Sequence, residues 1–332
     1  MSLRQELLRA LARRRELLAR LHAEGTDAYR LFHGIAEGVP GVTIDRYGPC
    51  LLVQTFRAAL PAPTIAEAQR QVRDELGLEL LAVHNHRGPP PPPDQPTHQA
   101  APAALADHVF HERGLRFRFR ARHRGQDPWL FLDLRAARAF VQAHAAGRRV
   151  LNLFAYTGGV GVAAAAGGAA SVLDVDFARS ALAIATANAA DNGVADRCRQ
   201  LRADCLPILR QLAGMPVQRR GRRVPYVRIE RQPFDLIVLD PPRFARTPFG
   251  AIDVVRDYQT LWKPALLALA PGGMLVATNH APEVREEDWH AALRRAAQKA
   301  GRPLRALTSL PVDADFPSFD GRPPLKVVVA EP

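Results

Sequence analysis

Apolar residues recur along this chain in two rhythms. Leucines at 3, 7, 11, 18 and 21 return at helical spacing with arginines between them, which predicts an amphipathic, arginine-rich helix over residues 1–24, docked or partner-binding. From 25 to 86, strand-like runs at 42–44, 51–56 and 80–84 surround one helical stretch near 64–77, the pattern of a small α/β domain. Residues 87–106 then lose both rhythms. HRGPPPPPDQPTHQAAPAA is proline-rich and polar, a semi-rigid connector, and a domain boundary is expected there.

Beyond it, GLRFRFRARHRG (114–125) alternates apolar and arginine positions at period two, so one face of a strand carries arginine. Short buried-type runs, RVLNLF, SVLDV, CRQLRAD, FDLIVLD and MLVAT, are then separated by Ala-rich or amphipathic helical stretches. Strands alternating with helices imply a parallel sheet covered on both faces. The final runs, LRALTSLPV and LKVVVAEP, have only a loop between them and should pair antiparallel. The predicted fold class is α/β. A doubly wound, mostly parallel seven-stranded sheet with an antiparallel last strand fills 107–332, behind the small α/β domain.

Composition narrows the class. No apolar run reaches the roughly twenty residues of a bilayer span, and the N-terminus lacks the h-region of a secretory signal. A mitochondrial-type presequence is the alternative reading of that helix. Cysteines at 50, 198 and 205 are odd in number and form neither a disulfide framework nor a zinc motif, which points to a reducing cytoplasm. The formal charge of +12 invites a polyanionic partner. Lysine occurs only at 263, 299 and 326, however, so arginine fills nearly every basic position, as a GC-rich genome would produce by itself. Where arginines cluster is more informative: 214–232 holds six, with Glu230 as the acidic counterweight. That stretch is either a solvated loop or a flap that touches phosphates. Monomer and homodimer both remain open.

In an open parallel sheet, ligands bind outside the carboxyl ends of the strands. Here those ends carry Asn152 and the turn Tyr156-Thr157-Gly158, then Asp176, Asp204 and Asp240. Gly159-x-Gly161-x-x-Ala164 formally satisfies a dinucleotide fingerprint, which would make a nicotinamide oxidoreductase. Its glycines lie several residues past the strand, and a pyrophosphate leaves Asp204 and Asp240 without a task. A ligand with an adenosine, a sulfonium and an amino-acid tail uses all three carboxylates. S-adenosylmethionine has that chemistry.

FLDLRAAR (131–138), LNLFAYTGG (151–159), SVLDVD (171–176), RADCL (202–206) and FDLIVLDPPRF (234–244) together resemble the class I methyltransferases of large-subunit ribosomal RNA, in the cytosine-C5 and guanine-N7 branch. YRLFHGIAEGVPGVTIDRYG (29–48) is similar to the small domain preceding the catalytic domain in the cytosine-C5 members. The resemblance implies a cytoplasmic enzyme that binds S-adenosylmethionine and ribosomal RNA. It implies that Tyr156, Thr157 and Gly158 line the methionine and ribose, that Asp176 takes the ribose hydroxyls and that Asp204 takes the adenine amine. Asp240 and Pro241 would flank the sulfonium, with Asp133 and Arg135 closing the site.

The choice of acceptor atom turns on an absence. Cytosine C5 needs a cysteine thiolate to add at C6. In the cytosine branch that cysteine follows the fifth strand, where this chain reads Ala277-Thr278-Asn279-His280. Guanine N7 is already a nucleophilic lone pair, and the guanine-N7 members carry an Asn-Asn pair at this point. Asn279 would orient the purine and Phe244 would stack on it. A cytosine-C5 enzyme and a non-catalytic RNA-binding or assembly factor are the alternatives.

Overall fold

The computed structural model describes residues 2–91, 96–123, 127–217, 226–323 and 325–332. It divides into two compact units, Met1–Asp133 with Asp313–Gly321, and Leu134–Val312 with Arg322–Pro332.

The first unit opens on α1 (Leu3–Ala23), with Ser2 as its N-cap. Strands β1 (Ala28–His33), β2 (Val42–Tyr47), β3 (Cys50–Thr55), β4 (Leu81–His86) and β5 (His98–Ala100) form a sheet in that order, with α2 (Ala62–Leu76) between β3 and β4. Leu7, Leu11, Leu18 and Leu21 are at most 3% exposed, in one core with Phe32, Ile65 and Val72. At about 1.5–3 kcal/mol for each buried leucine, α1 is fixed to this unit and is no free arm. Its Arg14 is buried as well. Nη1 donates to Glu37 Oε1 at 2.6 Å, and Nη2 donates to the Asp315 carbonyl at 3.1 Å. Asp315 Oδ2 accepts the Arg30 amide, and the Arg30 guanidinium forks onto Asp45 at 2.7 and 3.0 Å.

A boundary was expected at the proline-rich stretch, and the compact units divide after Asp133. Residues 92–95 lie outside the described residues, but the chain on their C-terminal side, as far as Asp133, belongs to the first unit. Strands β6 (His108–Glu112) and β7 (Leu115–Phe119) form a hairpin whose Phe119 stacks on Tyr47 at 4.6 Å, and Asp27 accepts the His111 amide. In β7 Phe117 and Phe119 are buried while Arg116 and Arg118 point outward, as the period-two pattern requires.

The second unit begins with α3 (Arg135–His144). It continues β8 (Arg149–Leu153), α4 (Gly159–Ala166), β9 (Ser171–Asp176), α5 (Arg179–Asp191), β10 (Cys198–Arg202) and α6 (Cys205–Leu212). Then come β11 (Phe234–Leu239), a hairpin of β12 (Phe244–Thr247) and β13 (Gly250–Asp253), α7 (Gln259–Ala268), β14 (Leu269–Asn279), α8 (Glu286–Lys299), β15 (Ala306–Ser309) and β16 (Lys326–Glu331). Among the described residues seven strands make one sheet in the order β10-β9-β8-β11-β14-β16-β15. Neighbours from β10 to β14 pair parallel, and β16 runs antiparallel to both β14 and β15. The reversed last strand is thus inserted beside the edge rather than forming it. Leu236 to Leu239 are at most 1% exposed, which explains an uninterrupted apolar run in place of alternation. Of the arginine-rich stretch, 218–225 lie outside the described residues. The part after it is pinned to α6, where Gln211 Nε2 donates to the Val227 carbonyl at 2.9 Å.

Candidate active site

At the carboxyl edge of this sheet, the chain between β8 and α4 makes a strained turn. Phe154 and Tyr156 have φ of 61° and 51°, and Gly158 adds a third positive value at 74°. Such backbone persists only where its surroundings over-determine it. Here the Phe154 amide donates to Cys205 Sγ at 3.4 Å, and the Ala155 amide to the Val175 carbonyl at 3.0 Å. The Tyr156 amide donates to Asp176 Oδ2 at 2.9 Å, and Asn188 Nδ2 to the Thr157 carbonyl at 3.0 Å. A Cβ on Gly158 would lie 2.8 Å from the Ala185 Cβ, so the cradle admits glycine only.

Beside the turn, Asp176 ends β9 with both oxygens engaged: Oδ2 as above, and Oδ1 accepts the Ala178 amide at 2.8 Å. Each still has a lone pair for a ligand hydroxyl. Asp204 is the N-cap of α6, its Oδ1 accepting the Leu206 amide at 2.8 Å, while Oδ2 has no partner among the described residues. Asp240 follows β11 and accepts from the Thr278 hydroxyl. Three carboxylates beside a glycine cradle suit ligand hydroxyls, an exocyclic amine and a sulfonium, so the donor set fits S-adenosylmethionine.

Asn152 needs correction. It sits inside β8, 2% exposed, and its Nδ2 donates to Asp174 Oδ1 at 2.8 Å, so it holds a core carboxylate instead of reaching the strand end. Asp174 also accepts from Gln200 Nε2 at 3.4 Å. Burial pushes its carboxyl up to about 7, against the lowering effect of those two donors, with Asp176 nearby raising it further. A Cβ on Gly161 would lie 2.3 Å from Asp174 Oδ1, so the glycine in the false dinucleotide match makes room for this carboxylate.

On the acceptor side, Phe244 projects from the β12–β13 hairpin, 53% exposed, with the Arg246 guanidinium 5.5 Å above its ring. Arg243 pairs with Glu283. Asn279 also departs from expectation. It is fully buried, its Nδ2 donates to the Val254 carbonyl at 3.1 Å, and its Oδ1 accepts the Ala281 amide at 2.9 Å. Its amide ties the end of β14 to the loop after β13. Tyr258 Oη donates to the Thr278 carbonyl at 2.8 Å, and burial, with Asp240 nearby, raises its phenol well above the ordinary value.

The second unit therefore brings together Tyr156, Thr157, Gly158, Asp176, Asp204, Asp240 and Pro241 along one sheet edge. Arg135, 3% exposed, opens α3 in this unit, whereas Asp133 belongs to the first. Sequence reasoning missed Asp174, Asn188 and Phe177. Phe177 comes directly after Asp176 and is 71% exposed. An aromatic next to a strand-end carboxylate was its available signal.

A family model described as S-adenosylmethionine-dependent methyltransferase matches residues 29–330. A "Ribosomal RNA large subunit methyltransferase" of Deinococcus radiodurans is 33% identical, covering 90% of this chain and 71% of its own. A "Ribosomal RNA large subunit methyltransferase I" of Erwinia tasmaniensis is 30% identical over 90% of this chain and 72% of its own. Among solved structures, SMU.776 complexed with SAH aligns with a TM-score of 0.76 at 24% identity, over 100% of this chain and 83% of that one. Trm5b from Pyrococcus abyssi aligns at 0.55 and 16% identity, over 90% and 76%. Both structures speak for the fold alone. The glycine cradle and strand-end carboxylates thus lie within a family match that takes in both units, and the protein belongs to the S-adenosylmethionine-dependent methyltransferases, with that compound as its methyl donor.

Proposed function

We propose that this enzyme methylates a base of large-subunit ribosomal RNA, at a ring nitrogen and at guanine N7 first. The names of its relatives support the RNA class. The choice of atom rests on one observation, the state of the thiols. Cys50, Cys198 and Cys205 are all buried, and burial pushes the first two up to about 12 and the third upward as well. Cys205 is moreover engaged with the Phe154 amide and the Val175 carbonyl. Their burial speaks against all three as the thiolate that cytosine C5 requires, since only the thiolate attacks. Guanine N7 needs only alignment, which a rigid site can supply.

When bound, S-adenosylmethionine offers an electrophilic methyl group on its sulfonium. In this reading Asp176 orients the ribose hydroxyls, the open oxygen of Asp204 takes the adenine amine, and Phe177 covers the ring. Asp240 and Pro241 flank the sulfonium, and the carboxylate favours the cation. Phe244 offers a face to the purine, with Arg246 above it. Asp133 and Arg135 are assigned to the cofactor side on the resemblance alone. The first unit is assigned to RNA contact through its outward-facing arginines.

Nucleoside mass spectrometry of ribosomal RNA from cells with and without the gene tests the reading. Loss of 7-methylguanosine is expected, and loss of 5-methylcytidine would overturn the choice of atom. A protein that binds the cofactor yet methylates no RNA would be a non-catalytic factor instead.

A further inference from the structure

The second unit holds a cavity apart from the strand-end carboxylates. It lies between α8 and the loop after β13, with a volume of about 420 Å³, and its lining contains none of Asp176, Asp204 or Asp240. That volume falls within the range of small-ligand sites. We propose that it receives one nucleotide of the RNA beside the target base, a subsite that rests on the RNA methyltransferase reading above.

Two features support a nucleotide. The first is charge. Arg256, Arg295 and Lys299 line the cavity, are exposed, and have no ion-pair partner among the described residues. Of the acids on the same wall, Glu283 is held by Arg243, which leaves Asp257 and Asp288 against these three cations. The second is apolar surface: Val255 is 40% exposed, and Tyr258 packs edge-on to Trp289 at 5.3 Å.

The subsite is connected to the chemistry. Its loop is held by Asn279 Nδ2 at the Val254 carbonyl and by Tyr258 Oη at the Thr278 carbonyl, and Thr278 donates to Asp240. A nucleotide seated there fixes the loop, and through Thr278 it steadies the carboxylate beside the methyl donor. This gives Asn279 and Tyr258 a task that direct base contact does not.

The test is the double variant Arg295→Glu, Lys299→Glu, against a control of equal charge change outside the cavity, Arg199→Glu, Arg294→Glu. Binding of protein-free large-subunit ribosomal RNA is measured across a salt series, with S-adenosylmethionine affinity measured separately. The cavity variant should bind RNA at least about tenfold more weakly, with a log–log salt slope smaller by about 1.4, as for two lost single-strand phosphate contacts. Cofactor affinity should be unchanged. Equal losses in cavity and control variants would overturn the subsite, as would no loss in the cavity variant. Normal RNA binding with failure only on assembled subunits would mark a protein partner and overturn the nucleotide assignment. If the wild-type protein neither binds nor methylates RNA, the underlying reading itself falls.

Discussion

Replacing Asp174 by Asn should remove a loss of stability that this protein suffers as pH rises over a defined window. The wild-type carboxyl is fully buried, and its affinity for a proton is raised from an ordinary carboxylate to about 7. The folded state therefore holds a proton there that the unfolded chain, titrating near pH 4, has released. Stability from this group is complete below about pH 4 and is lost as pH rises through 7. Three pH units at 1.36 kcal/mol each make about 4 kcal/mol. An asparagine keeps one acceptor oxygen for the Asn152 amide, sets its own NH2 toward Gln200, whose amide must turn to accept, and carries no charge to bury. The variant's stability relative to wild type should rise by about 2.5 kcal/mol between pH 5 and pH 8, on top of a pH-independent cost for an imperfectly paired amide. Urea unfolding of both proteins at pH 5, 6.5 and 8 measures this. His33 and His84, whose imidazoles burial lowers to about 4, titrate in the same range, but they are common to both proteins and cancel in the difference. Parallel stability curves for the two proteins would refute the reasoning.

Three further outcomes are expected. Asp240→Ala should weaken S-adenosylmethionine binding at least about tenfold, whereas Asn279→Ala should leave it within about threefold and abolish turnover; calorimetry and methyl transfer separate the two. The Asn279 variant should also lose about 1–3 kcal/mol in urea unfolding, because it strands the Val254 carbonyl and the Ala281 amide. Iodoacetamide at pH 7.5 should modify none of the three cysteines in the native protein, and Cys205→Ser should keep methyl-transfer activity; inactivation by thiol alkylation without unfolding would argue for C5 chemistry. Gly158→Ala should cost both stability, by about 1–3 kcal/mol, and cofactor affinity, because the new Cβ meets Ala185 on a left-handed backbone; calorimetry with unchanged affinity would dissociate the turn from the cofactor.

The two rhythms of the sequence foretold the layered sheet because buried parallel strands must be apolar on both faces. β8, β9, β11 and β14 were therefore visible as runs. The β12–β13 hairpin was not, because four-residue strands that are half-exposed show no alternation, and α7 was obscured by Pro264 inside it. At the site, residue type revealed the strand-end carboxylates but not their duties. Asn152 and Asn279 are polar residues in the expected places, yet a polar side chain inside a strand must satisfy itself locally when buried. Which partner it finds depends on register across β8 and β9, and on a loop 25 residues away in the chain. The attachment of the β6–β7 hairpin to the first unit was hidden for a similar reason, since Tyr47 and Phe119 are far apart in sequence and meet only in the fold.

The contact of Arg14 and Arg30 with Asp315 has a consequence for synthesis. The small unit is composed from both early and late parts of the chain, and domains that emerge first ordinarily fold first. Here the Arg14 guanidinium and the Arg30 amide reach their full set of acceptors only when residue 315 has left the ribosome. Arg20 meets Asp313 and His33 meets Phe316 at the same late moment. The whole catalytic sheet up to β15 is made in between. The unit that begins the protein is therefore completed after it, and a stalled or shortened chain would carry a buried arginine short of its partners.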